Sequence, residues 1–197
     1  MNELLSRGHQ VTAITRDPAK LVPQSNLTIK QGDVDSAHAI AANIKGADAI
    51  VSAYAPPADD TDQILPVTEN FIEAVKQVGT SGKAPRFLYV GGAASLEVAP
   101  GVTLLDSGHL PAEWQPIAKS HSDALALIKK SDINWTCFSP AAFFEPGQRT
   151  GNFRLGKDQL ITDADDNSKI SMEDYSIALV DELEKPRHER QRFTIGY

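Results

Sequence analysis

Apolar positions along the 197-residue chain follow two alternating rhythms. Short runs rich in β-branched and aromatic residues occur at 10–15 (QVTAIT), 27–31 (LTIKQ), 48–53 (DAIVSA), 86–90 (RFLYV), 133–138 (INWTCF) and 193–197 (FTIGY). Their length and composition predict strands. The 48–53 run is almost continuously apolar, as suits a central parallel strand covered on both faces. Between these runs the period becomes helical. In 60–78, Ile64, Val67, Phe71, Ile72, Val75 and Val78 share one face, Gly79 stops the helix, and Pro66 belongs in the first turn or at a local kink. A second helix is capped by Asp35 or Ser36, runs to Ile44 with Ile40 on the same face, and ends before Gly46. Two more are expected over 117–130, with Leu125 and Ile128 inward, and over 171–184 behind a Ser171 cap. Residues 1–7 have helix-forming composition and lead to Gly8 at a C-cap position, and 17–21 reads as a short helix or turn.

Strands alternating with helices at this spacing predict an α/β fold: a doubly wound, mostly parallel sheet in one domain over 1–197. A small substrate-side portion is expected around 141–170, with short strands at 153–155 and 159–162. The stretch 96–116 has no clear period and reads as a lid or binding loop. Right-handed crossovers place every strand's carboxyl end on one rim, where open α/β sheets bind ligands. That rim collects Arg16, Asp33, Val34, Ala53, Tyr54, Ala55, the turn from Gly91 to Ser95, and the loop from Pro140 to Phe144.

Charge and composition narrow the function. A net charge of −7 argues against a general nucleic-acid binder, although one basic pocket can still hold a phosphate. A single cysteine, Cys137, allows no internal disulfide framework, and a cytosolic setting is expected. No basic-then-apolar leader pattern and no apolar run approaching ~20 residues occurs, so neither export nor a membrane span is expected. His9, His38, His109 and His188 show no metal-ligand spacing with one another or with Cys137. GxSxG, HExxH and P-loop patterns do not occur.

Each rim residue has a chemical reading beside a plainer one. Arg16 follows the 10–15 strand, where a dinucleotide fold meets the adenosine ribose: an acid suits the 2′-hydroxyl of NAD and an arginine the 2′-phosphate of NADP. It reads equally as a solvated loop cation. Gly91 and Gly92 admit a close ligand or form a tight turn. Ser95 is placed to hydrogen-bond a substrate carbonyl or to cap a turn. Lys119, in a first helical turn, can meet ribose hydroxyls or simply face solvent, and His121 nearby can give a proton near neutral pH. Tyr54, Trp114 and Phe143 can stack on a flat ring or pack internally. The acidic run 163–166 (DADD) reads as a solvated turn.

Several blocks resemble one family. RGHQVTAITRDPAKL, the GDV turn, LYVGGAASLEVAPG, NWTCFSPAAFFEPGQRTGNFRLG and SKISMEDYSIALVDELEKPRHERQRFTIGY are similar to the bacterial NADH-flavin reductases. These are atypical short-chain dehydrogenases related to biliverdin reductase B and the NmrA-like regulators. The resemblance covers 7–197. It implies an NAD(P)-binding Rossmann fold with hydride transfer to a flavin, FMN or FAD, or to a quinone-like small molecule, in a cytoplasmic monomer or homodimer. NADP(H) is favoured over NAD(H), because Arg16 matches the 2′-phosphate position. Asp33 and Val34 match the adenine-side turn, and Ala53, Tyr54 and Ala55 the loop beside the adenosine. Gly91, Gly92 and Ser95 match the nicotinamide-side loop, and Pro140, Ala141, Ala142 and Phe143 the loop over that ring. Ser95, Lys119 and His121 are the catalytic candidates.

Two departures qualify this. The family's opening strand and GxxGxxG turn have no counterpart in this sequence, and the YxxxK pair has Gln115 where the tyrosine stands four residues before Lys119. A non-catalytic dinucleotide-sensing regulator is therefore the alternative, as is a form with impaired cofactor binding. The opening strand would lie between the 10–15 and 48–53 strands. Those strands are then expected to pair directly, to accept another chain, or to leave the fold marginal, with weak dinucleotide affinity in each case.

Overall fold

The central strands form because their alternate side chains find helices on both faces, and the computed structural model describes residues 1–80 and 82–197. The main sheet has five strands in the order β3 (Ala49–Ser52), β4 (Arg86–Val90), β7 (Trp135–Ser139), β11 (Gln191–Gly196), β9 (Arg154–Gly156). The first four are parallel and β9 is antiparallel to β11. Side chains alternate across β4: Phe87 and Tyr89 face α3 (Ile64–Gly79) and α4 (Gln115–Lys130), with Phe71, Val75, Leu125 and Ile128 against them. Leu88 faces the opposite way, into a cluster with Phe138, Phe193, Ile195 and, from α5 (Met172–Glu184), Tyr175, Ala178 and Leu179. Phe138 lies sandwiched between Tyr175 and Phe193, each ring centroid 4.0 Å away. Fully burying one such side chain contributes ~1.5–3 kcal/mol, so these two clusters dominate stability. The α/β, mostly parallel, Rossmann-like arrangement expected from the alternation is the one observed.

Local signals act where the residues place them. Ser36 accepts the Ala39 amide (3.2 Å) at the start of α2 (Ala37–Ile44), and Ser171 accepts that of Asp174 (3.0 Å) at the start of α5. Pro66 sits in the first turn of α3, which runs on to Gly79. Gly8 follows α1 (Asn2–Ser6) with φ +83°, a left-handed conformation that glycine adopts without steric cost.

The inner edge of the sheet is open. Among the described residues, β1 (Val11–Thr15) pairs only with β2 (Leu27–Gln31), in parallel, while β3 pairs only with β4. Direct pairing of β1 with β3, one of three expected outcomes, is not formed among the described residues. Ile14, in the middle of the ribbon, is 38 % exposed, so one face of β1 lacks a cover. The ribbon is held instead through its flanking helices. Ile40 and Ile44 of α2 join the core beneath α3. The end of α1 is tied to α5: Arg7 forms ion pairs with Asp181 and Glu184, and His9 lies within hydrogen-bond distance of Glu184.

Three expectations need correction. The stretch 159–162 is no strand: Glu97 donates its amide to the Asp158 carbonyl and accepts that of Leu160, both at 2.8 Å, which makes a single bridge. Ile161 fills the space over Gly156 and Gly196, and this contact, rather than a ladder, accounts for its apolar position. The 96–116 connection is not irregular throughout, since it contains the hairpin β5 (Glu97–Ala99) and β6 (Val102–Thr103), turning through Gly101. Two three-residue strands, β8 (Phe143–Glu145) and β10 (Lys169–Ser171), pair in parallel beyond the end of β7. Among the described residues, no helix is long and apolar enough to cross a membrane, and no cluster of ligating side chains could hold a metal ion.

Candidate functional site

The parallel ladders bring the rim residues to one side of the molecule. Arg16 follows β1, Gly32, Asp33 and Val34 follow β2, and Ala53, Tyr54 and Ala55 follow β3. Gly91 and Gly92 follow β4, and Pro140, Ala141, Ala142 and Phe143 follow β7. The ladders continue one step into these turns: Gly32 donates to the Thr15 carbonyl (3.0 Å) and Gly91 to that of Phe138 (2.9 Å).

On the β1–β2 side, three predicted residues share one neighbourhood. Burial pushes the Tyr54 phenol upward; the carboxylates of Asp33, Asp35 and Asp60 add to this and the Arg16 cation opposes it. The Tyr54 ring packs against the core below α3. Asn70 of α3 donates to the Val34 carbonyl (2.9 Å), and the Asp33 carboxylate accepts the Val34 amide (2.7 Å), so the turn after β2 is braced. The Arg16 guanidinium is exposed and has no hydrogen-bond or ion-pair partner among the described residues. An unpaired cation beside a half-buried aromatic ring fits the phosphate and base of an adenine nucleotide.

On the β4–β7 side, the two glycines do different work. A Cβ on Gly91 would lie 2.9 Å from Cys137 Sγ, so its bareness serves strand packing. A Cβ on Gly92 would meet the His121 side chain (Cβ, Cγ and Cδ2) at 3.2–3.5 Å, so the bare turn leaves room for that side chain beside it. His121 Nδ1 lies 2.8 Å from Tyr89 Oη, and its Nε2 has no partner among the described residues. Burial pushes the imidazole down to about 4. Tyr89, read from sequence only as a core strand residue, is pushed far upward by burial, with the Cys137 thiol adding to it. Cys137 itself is pushed up to about 12 by burial.

The other two catalytic candidates stand apart from this pair. Ser95 accepts from Arg192 Nη1 at both its carbonyl and its hydroxyl oxygen (3.0 Å each), and Arg192 is held in turn by Asp158. The serine's acceptor site is thereby occupied and its hydroxyl proton is left to donate. Lys119 pairs with Asp123 one turn along α4 on its exposed face, a bond that raises its pKa. The neighbouring Ser120 is buried and donates to Asp62 (3.2 Å).

The loop after β7 is fixed from behind. Ser168, buried, receives the Ala142 amide on its hydroxyl (3.1 Å) and the Phe143 amide on its carbonyl (2.9 Å). Further on, 148–152 is pinned by Asp174, and Arg149 forks onto Glu3 of α1 through Nε (3.0 Å) and Nη2 (2.9 Å). Phe143 stays 59 % exposed at the mouth of a shallow cleft of about 450 Å³ that Glu145, Gln148, Lys169 and Tyr197 also line. Sequence reasoning missed Tyr89, Arg192 and Asp174, whose partners lie 32, 97 and 24 residues away.

Comparison with known proteins identifies the family to which this fold belongs. An uncharacterized protein of Bacillus subtilis (strain 168), YwnB, is 39 % identical over 199 residues, spanning 99 % of this chain and 90 % of its own. A crystal structure from Bacteroides thetaiotaomicron, described as a candidate epimerase, is 46 % identical with a TM-score of 0.91 and covers 100 % of this chain and 89 % of its own. A second, from Streptococcus pneumoniae TIGR4 and described as a candidate NADH-flavin reductase, is 34 % identical with a TM-score of 0.86 and covers 99 % and 90 %. The NAD(P)H-binding family matches residues 1–186. With the match running through nearly the whole fold, the chain belongs to the NAD(P)H-binding family.

Proposed function

We propose that the chain is an NAD(P)H-dependent oxidoreductase that passes a hydride to FMN, FAD or a similar conjugated, quinone-like acceptor, with NADPH favoured over NADH. The observation that carries the reading is the free Arg16 guanidinium on the same rim as the Gly92–His121 contact. Arg16 would hold the 2′-phosphate, Tyr54 and Val34 the adenosine, and Gly91, Gly92 and the loop from Pro140 to Phe143 the nicotinamide end. When bound, NAD(P)H supplies the hydride. The chain's own part is to bind, orient and keep water away.

The choice of acceptor rests on what the rim offers. With Gln115 at the tyrosine position and Lys119 committed to Asp123, carbonyl reduction would lack its hydroxyl donor. A flat acceptor needs chiefly a stacking surface, since its protons can come from solvent, and Phe143 and Trp114 (58 % exposed) provide apolar rings. The similarity to the Streptococcus protein supports the same acceptor class.

The test is titration of NADPH and NADH against Trp114 and Trp135 fluorescence, followed by NADPH oxidation with FMN, FAD or a quinone. It is run on this chain and on one carrying a strand and glycine turn ahead of Met1. Binding and turnover by the extended chain support the reading. Binding without turnover replaces it with a dinucleotide-sensing regulator, and binding by neither chain overturns it.

A further inference from the structure

Tyr89 projects from β4 toward α4, where its hydroxyl meets His121 Nδ1 at 2.8 Å with the ring centroids 5.9 Å apart and tilted by 51°. The pair joins a strand whose end forms the rim to the helix that flanks it. A phenol O–H is a stronger donor than a neutral imidazole N–H, and an imidazole nitrogen a stronger acceptor than a phenol oxygen. The Thr68 hydroxyl also stands beside the Tyr89 phenol; it gives its own proton to the Ile64 carbonyl (2.7 Å) and so offers the phenol only a hydroxyl acceptor, weaker than the imidazole nitrogen. The ring is thereby fixed from one side, and its Cγ and Cδ2 lie where a side chain on Gly92 would otherwise stand. Nε2, next to Cδ2, is unbonded among the described residues and is not sealed from solvent.

We infer that Tyr89 is a positioning residue for His121: its O–H donates to Nδ1, holds the ring in the Nε2–H tautomer, and leaves that N–H to donate to a carbonyl oxygen of the ligand lying on the Gly91–Gly92 turn. This inference rests on the oxidoreductase reading for its ligand, but not for the Tyr89–His121 bond itself. The oxygen can belong to the carboxamide of the nicotinamide or to a ring carbonyl of the acceptor. In both cases the contact is made by a neutral imidazole, since burial keeps it uncharged at neutral pH. Its service is orientation, not proton delivery from an imidazolium.

The test is long-range ¹⁵N NMR of histidine-labelled protein, with the His121 signals assigned by their loss in His121→Ala. In the free chain, His121 is expected as a single Nε2–H tautomer, and Tyr89→Phe, which keeps the ring packing, is expected to release it into a tautomer mixture. An Nδ1–H tautomer, or a spectrum indifferent to Tyr89→Phe, overturns the inference. NADPH and FMN are then added separately. A shift of Nε2 with NADPH alone assigns the oxygen to the carboxamide, and a shift with FMN alone assigns it to the acceptor. Binding of both with no shift overturns the ligand contact. For the probe that shifts the signal, Tyr89→Phe is expected to raise its Kd or KM about fivefold, the worth of one modest hydrogen bond, with kcat changed less. If neither probe binds this chain, the additions are repeated on the chain extended ahead of Met1; if that chain also binds neither, the oxidoreductase reading falls and takes the ligand contact with it, while the free-chain spectrum still decides the tautomer.

Discussion

Asp174 accepts both the amide (2.8 Å) and the hydroxyl (2.5 Å) of Thr150 from the start of α5. The same carboxylate, fully buried, also takes the Gly151 amide (2.8 Å) and the Tyr197 hydroxyl (2.9 Å). Burial alone would push it upward, but these four bonds outweigh that and hold it below the usual carboxylate range. Thr150 and Gly151 lie in the PGQRTG block that carries the family resemblance, so that block is explained as a loop anchored to one acid. Replacing Asp174 with alanine strands four donors. The expected cost is about 3 kcal/mol, by analogy with broken buried charge networks. For a chain of this length that lowers Tm by roughly 6–12 °C in a thermal melt. An unchanged Tm would mean the loop is held by something else.

Acid should also loosen the neighbouring hold on this loop, where Arg149 meets Glu3. Hydrogen bonds from Arg149, then Arg7, hold Glu3 down to about 2 against an ordinary value of 4.5. A carboxyl depressed in the folded state contributes stability that is complete above 4.5 and disappears as pH falls toward 2. Melting temperatures between those limits should therefore decline, and Glu3→Gln should flatten the decline while lowering Tm at neutral pH. A wild-type slope retained in Glu3→Gln would assign the acid sensitivity to other carboxylates.

Local order in this fold is written locally, and the contacts that build the site are not. The strands at 27–31 and 86–90 and the caps at Ser36 and Ser171 follow from period and cap chemistry within a few residues. β8 and β10 escape such reading because three-residue strands have no period of their own and exist only through each other. The rim was legible because parallel strands put their carboxyl ends together whatever the loops contain. The partners of the rim residues were not: Glu3 meets Arg149 across 146 residues and Ser95 meets Arg192 across 97, with no local signal at either position. The open edge between β1 and β3 combines both cases. Each strand was recognisable alone, while its lack of a neighbour on one side is a property of the assembled sheet.

Arg16 should set the choice of dinucleotide. A guanidinium on a 2′-phosphate discriminates by charge and paired hydrogen bonds, neither of which a 2′-hydroxyl offers. Arg16→Ala is expected to weaken NADPH binding by about tenfold, equivalent to ~1.4 kcal/mol, and to leave NADH within a factor of about two. Fluorescence titration with both nucleotides reads the ratio directly. Equal losses for the two would place Arg16 at the shared pyrophosphate, and no loss for either would make it a solvated loop cation.

The missing side chain of Gly91 should prove to serve packing, with the backbone of its turn left to face the ligand. Its missing Cβ leaves room for the Cys137 side chain of the neighbouring strand, whose sulfur would otherwise stand 2.9 Å from the added carbon, with the Phe138 carbonyl at 3.5 Å. The sulfur is fully buried and cannot retreat without disturbing the layer beneath α4. Gly91→Ala is therefore expected to cost about 1–3 kcal/mol by overpacking. Cys137→Ala alone should cost less than a large-to-small change such as Leu→Ala, because only one sulfur atom is removed. The double variant should be more stable than the sum of the two single changes by roughly 1 kcal/mol, since each relieves the other's defect. Chemical denaturation of the four proteins measures this coupling. Strict additivity would show that Gly91 is bare for another reason, and the close approach of a ligand at the rim would then be the reading to pursue.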